Sequence, residues 1–420
     1  MSEPSSSVPM RRAAVAFIFV TVMLDMLALG MVIPVLPKLI EAFRGGDTAR
    51  AATTLAVFGT VWGAMQFFAA PVLGSLSDRF GRRPVVLTSN FGLGFDYILM
   101  ALAPTLNWLF VGRVISGITA ASIPAAFAYI ADVTPVEGRA KSFGLMGAAF
   151  GIGFVVGPVL GGVLSRGGPR LPFWVAAALS LTNAMYGLFV LPESLPHERR
   201  MPFSWRRANP WGALRLLRTH RQLLGFASVH FLYYMAHQSL QNVFVLYTGY
   251  RYGWDTFAVG LALGAVGVTT SIVQGGLVGP IVARFGERRT LIIGLCFGVT
   301  AFLIYALAPT GGRFALGILV MSLWGLYGPS AQGLMTRRVS PSEQGQLQGA
   351  LSSVVTMTGI VGPTIFSLTF ATFIGSRRDW HLPGAPFLLA AALLVVAIVV
   401  VTRITRPQDS GAAQTAGAVA

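Results

Sequence analysis

The sequence predicts an all-α membrane protein: twelve transmembrane helices in two pseudo-symmetric six-helix bundles. Three observations predict it. The 420-residue chain is 54% hydrophobic and only 11% charged, with a mean hydropathy of +0.67, whereas soluble globular chains are about 25% charged. Its apolar residues fall in about twelve runs of ~20, each long enough to cross ~30 Å of hydrocarbon as a helix. The chain also repeats at an offset of 205 residues: Gly74, Arg79, Gly81 and Arg83 recur as Gly279, Arg284, Gly286 and Arg288.

The crossings follow in order. The first, about 13–36, carries Asp25 at its middle; its lead-in is short and polar and no small-residue cleavage site follows the apolar run, so it reads as a retained helix. The second, about 52–76, runs into the basic stretch Gly74–Pro84. The third and fourth, about 84–104 and 107–131, carry Asp96 and Arg113. The fifth, about 141–165, holds Gly153-x-x-x-Gly157-Pro158, a spacing that lets helix backbones touch. The sixth, about 171–192, closes on Leu191-Pro192-Glu193-Ser194. A Pro-, Arg- and Trp-rich loop, 193–222, separates the bundles 1–192 and 223–420. Its part from 209 to 222 reads as an amphipathic helix lying on the membrane or as a plain basic tether.

The second half mirrors the first, with crossings at about 223–247, 256–282, 289–309, 313–335, 345–374 and 384–405. Gly362-Pro363 in the eleventh answers Gly157-Pro158 at the same offset. These matched pairs predict that the fifth and eleventh crossings form the seam between halves.

Basic residues orient the chain. Of 31 Lys and Arg, 21 lie on the side of the termini and nine on the other. The excess predicts cytoplasmic termini and a cytoplasmic 193–222 loop. The same spread over many loops excludes a nucleic-acid-binding face. The lone Cys296 sits in an apolar run, so neither a disulfide framework nor a metal cluster is expected. No Gly-x-x-x-x-Gly-Lys-Ser motif is present, which argues against nucleotide-driven pumping, and no cofactor is expected.

Ionisable groups inside spanning helices are costly and mark function. Asp25 is the first choice for a proton carrier and Asp96 the second. Arg113 must pair or stay wet, since it cannot lose its proton. In the seventh crossing His230, Tyr234, His237 and Gln241 recur at steps of four, three and four, which places them on one face. With Gln66 and Gln274 they suit a flat amphiphilic ligand. On the cytoplasmic face Asp78, Arg79, Arg82 and Arg83 lie beside Asp132 and Arg139, a charge cluster able to lock one side.

The stretch Gly74-Ser75-Leu76-Ser77-Asp78-Arg79-Phe80-Gly81-Arg82-Arg83 resembles the loop 2–3 motif of the major facilitator superfamily. Gly112-Arg113-x-x-x-Gly117 resembles its helix 4 motif, and Gly153 to Gly162 the helix 5 motif of its drug-exporting antiporters. Run-on similarity is greatest to the tetracycline/proton antiporters: Met65-Gln66-Phe67, Asp96-Tyr97, Ala128-Tyr129-Ile130-Ala131-Asp132 and Phe285-Gly286-Glu287-Arg288-Arg289. The resemblance implies proton-coupled export of a small hydrophobic or amphiphilic drug by a monomer in the inner membrane. It implies that Asp25, Gln66, Asp96 and Arg113 line the path, and that Asp78, Arg82, Asp132 and Arg139 form a cytoplasmic lock. The chain departs from those antiporters at Gly294–Val299, which carries no acid, and at Thr270, where they have histidine. A same-fold importer or facilitator of a small metabolite is the alternative, and a membrane receptor or enzyme a more distant one.

Overall fold

The computed structural model describes residues 7–120, 123–135, 138–205, 221–340 and 343–404. Its helices are α1 (Ser7–Val32), α2 (Val35–Phe43), α3 (Thr48–Phe80), α4 (Arg82–Leu102), α5 (Leu106–Thr119), α6 (Ile123–Val133), α7 (Arg139–Ser165), α8 (Leu171–Val190), α9 (Arg221–Tyr252), α10 (Thr256–Ile272), α11 (Val278–Leu307), α12 (Gly311–Ser322), α13 (Tyr327–Thr336), α14 (Gln344–Ile374) and α15 (Ala385–Ile404). These supply the twelve crossings, three of them interrupted among the described residues.

The first crossing breaks at Pro34, which has no N–H to donate and disfavours helix at Ile33. It then resumes as α2 to Phe43, beyond the expected end at 36. The fourth comprises α5 and α6, and residues 121–122 between them lie outside the described residues. The eighth passes through a π-helical turn, Val273–Leu277, before entering α11. Gly286 (φ 75°) breaks α11, so that the eighth crossing ends and the ninth begins there. Gly81 (φ 109°) makes the equivalent turn between α3 and α4. The tenth crossing joins α12 to α13 through a 3-10 turn, Leu323–Leu326. The amphipathic helix expected at 209–222 lies almost wholly outside the described residues.

The glycine motifs pack mainly within halves. A Cβ on Gly30 of α1 would lie 3.0 Å from both the Gly153 carbonyl oxygen and the Gly157 Cα of α7. In the other half Gly362 of α14 packs on Gln238 of α9. The seam is built by their neighbours. Gly63 of α3 lies against the Gly359 carbonyl of α14, and Gly59 against Pro363. Thr60 donates to the Ile360 carbonyl at 3.0 Å and meets the Thr364 hydroxyl at 2.7 Å. On the other side Gly260 of α10 abuts the Pro158 carbonyl of α7, and Gly267 abuts Val155. The halves meet through α3–α14 and α7–α10, so the fifth and eleventh crossings each form one side of a contact and pack on the eighth and second.

Close contacts between halves lie toward the face opposite the termini. There Lys38, paired with Glu41 at 2.9 Å, covers Gly249 of α9, and the Arg166 guanidinium lies 3.6 Å over the Phe257 ring. Toward the terminal face Gly144, Gly147 and Gly151 of α7 and Gly275, Gly276 and Gly279 of the eighth crossing meet nothing within 4 Å. The halves are therefore closed at the far face and parted at the terminal face.

Candidate functional site: a cavity between the halves

Two cavities adjoin at Ile33, Phe154 and Gln241, between the bundles. The larger, about 450 Å³, is bounded by α7 on one side and by α9 and α10 on the other. His237, Gln241, Thr270, Ser271 and Gln274 supply its polar groups; Phe150, Phe154 and Phe244 supply rings. The smaller, about 210 Å³, reaches Arg113 and Trp62 in the first half and Gln238, Gln241 and Asn242 in the second. Such mixed linings, mostly apolar with a few converging polar groups, are typical of organic-ligand sites.

The sequence-predicted residues distribute unevenly around this space. Arg113, His237, Gln241 and Gln274 line it. Gln66 is half-buried on α3 and lines neither cavity. Asp25 faces α8, where Asn183 donates to its carboxylate at 3.3 Å; Thr21 donates in turn to Asn183 at 3.1 Å. Asp96 is fully buried on α4, and neither carboxylate oxygen has a hydrogen-bond partner among the described residues. It is sealed inside the first half. Arg113 lies near it, with Nη2 on the Met100 sulfur at 3.4 Å and Nε unpartnered. No ion pair joins Arg113 to a carboxylate among the described residues.

The α9 stripe splits in two. His237 and Gln241 face the cavity. His230 bonds the Tyr327 hydroxyl at 3.3 Å, and its ring lies 4.8 Å from Tyr234. Tyr233 stacks on Tyr327 at 3.9 Å and packs on Trp324 at 4.5 Å. This cluster occupies the room beside the ninth crossing: Gly294 packs on Tyr327 and Gly298 on Trp324.

On the terminal face Arg82 pairs with Asp78 through Nη1 and with Asp132 through Nε at 3.2 Å. Arg83 donates to the Leu188 carbonyl at 2.6 Å. Arg79 is exposed, its guanidinium 5.0 Å from the Phe80 ring, and Gly74 has open space around it. Arg139 begins α7, but its side chain lies outside the described residues. Two groups escaped the sequence reading. Glu193 accepts from the backbone N–H groups of Arg82 (2.8 Å) and Arg83 (3.3 Å), capping α4 from across the first half. Glu287 pairs with Arg337 at 2.9 Å. Glu287 and Arg337 stand 205 residues after Arg82 and Asp132, and that offset is the one signal that could have found the second pair.

Paired helical bundles around an amphiphilic interior cavity define a polytopic membrane transport protein. The profile of the Major Facilitator Superfamily matches residues 18–363 and 276–419, and the chain belongs to that superfamily. It is 38% identical to the class C tetracycline resistance protein of Escherichia coli over 92% of this chain and 95% of that protein. It is 35% identical to the class G protein of Vibrio anguillarum over 88% and 93%. Among solved structures, the nucleoside transporter NupG superposes with TM-score 0.73 at 15% identity, over 93% of this chain and 98% of that one.

Proposed function

We propose that this chain exports an amphiphilic, tetracycline-like drug in exchange for protons, by alternating access to the cavity between its halves. The observation that carries this reading is the similarity to tetracycline resistance proteins along nearly the whole chain. A cavity of about 450 Å³ lined by rings, amides and hydroxyls suits a flat polycyclic molecule bearing several oxygens. In this reading the protein is a monomer of the inner membrane, with both termini and the 193–222 loop in the cytoplasm, as the basic residues favour. The open terminal face is then the one through which drug arrives from inside.

Asp25 and Asp96 carry the protons. Each stays neutral while sealed from water and ionises when hydrated, so proton occupancy follows which face is open. Arg113, the charge nearest Asp96, adjusts that exchange from the cavity wall. His237, Gln241 and Gln274 hold the ligand; His230 and Tyr234 support them from behind. The Asp78–Arg82–Asp132 cluster biases the open and closed terminal faces by about 1–3 kcal/mol, the usual size of a coupling energy. An inward proton gains about 2.3 kcal/mol per 100 mV.

Everted membrane vesicles test the reading. Tetracycline should accumulate in them when an acid-inside gradient is imposed, and Asp25→Asn should abolish the accumulation. Uptake indifferent to the gradient, or an unimpaired Asp25→Asn protein, would refute it.

A further inference from the structure

Two ion pairs on the terminal face occupy equivalent places in the repeat with their charges exchanged. Arg82 and Asp132 are joined at 3.2 Å; Glu287 and Arg337, each 205 residues further on, are joined at 2.9 Å. Arginine in the first half thus corresponds to glutamate in the second, and aspartate to arginine.

The surroundings repeat as well. Arg82 and Glu287 each follow a positive-φ glycine, Gly81 and Gly286. Asp132 and Arg337 each close the fourth crossing of their half, at the ends of α6 and α13. The loop members are the more buried, with side chains 13% and 17% exposed; their partners lean outward at 26% and 74%. Both fourth crossings border the passage, through Arg113 in one half and Met321 in the other. Halves related by a pseudo-two-fold axis through that passage carry corresponding positions of these two crossings toward each other as they close. Equal charges at such positions would repel, whereas inverted charges attract. In the present structure the terminal face is parted, and each pair is satisfied within its own half.

We propose that the two pairs form complementary latches, and that Asp132 engages Arg337 across the axis when the terminal face closes. The inverted polarity of the repeat then selects the closed face by attraction. This rests on the alternating access proposed above but not on the cargo.

The test is a distance measurement that needs no drug. Spin labels at Gly144→Cys and Gly276→Cys, in a Cys296→Ser background, report the opening of the terminal face in lipid nanodiscs. Asp132→Asn combined with Arg337→Gln should favour the open face by about fivefold or more. Glu287→Arg with Arg337→Glu keeps the second pair but gives both halves one polarity, and should open the face as well. Adding Arg82→Glu and Asp132→Arg to that variant restores inverted polarity and should restore the wild-type distances. A wild-type distribution for Glu287→Arg/Arg337→Glu would overturn the proposal, as would a folded quadruple variant that stays open. If the quadruple variant does not fold, the neutral Asp132→Asn/Arg337→Gln protein decides, and unchanged distances in it overturn the proposal.

Discussion

At the scale of single residues, the two buried aspartates differ in what surrounds them. Asp25 keeps one donor, Asn183, whereas Asp96 has none among the described residues. An unpartnered carboxylate in a sealed site costs stability when charged. Asp96→Asn should therefore raise the thermal unfolding temperature while lowering drug transport, the trade expected of a functional polar group. Unfolding scans and efflux assays on one preparation check both signs. Asp25→Asn should spare drug binding within about twofold and remove the response to an acid gradient, because binding and coupling are separate free energies. Both acids were legible as charges inside apolar runs. The Thr21–Asn183–Asp25 chain was not, because it joins residues some 160 positions apart and leaves no local pattern.

At the scale of elements, helices touch where side chains are missing. Gly63 rests on the Gly359 carbonyl, so Gly63→Leu must drive α3 and α14 apart. We expect it to abolish transport with the protein still in the membrane, as immunoblotting of membranes against efflux would show. The neighbouring pair, Thr60 and Thr364, has hydroxyls 2.7 Å apart. Thr60→Cys with Thr364→Cys should form a disulfide under mild oxidation, arrest transport, and release it on reduction. All the crossings but the first were legible to within a few residues, because hydropathy and length decide a spanning helix; the first runs from Ser7 to Phe43 where 13–36 was expected. Their interruptions were less so. Pro34 announces its break, but the π turn at Val273–Leu277 and the 3-10 turn at Leu323–Leu326 contain no proline. The π turn carries Gln274, which lines the larger cavity, and the 3-10 turn carries Trp324, which packs on Tyr233; neighbours so distant in the chain leave no local pattern. Likewise the matched Gly-Pro motifs pointed to a seam, yet Gly157 and Gly362 pack inside their own halves.

At the scale of the whole molecule, the far face is held shut by Lys38 over Gly249 and by Arg166 over Phe257. A cation–aromatic contact of this kind contributes about 0.5–2 kcal/mol. Phe257→Ala should therefore shift the population toward an open far face, and spin labels placed across that face should move apart. The doubled architecture was legible from the 205-residue offset. The inverted ion pairs became visible only once both halves were folded, since Glu287 reads as another loop charge until Arg337 stands beside it. Trp62 borders the smaller cavity, while Trp324 lies behind the larger one, its ring 5.8 Å from cavity-lining His237. One indole thus watches each side of the passage. In a chain whose other tryptophans are phenylalanine, quenching of their emission would follow a drug from one half to the other in real time, with no dye attached.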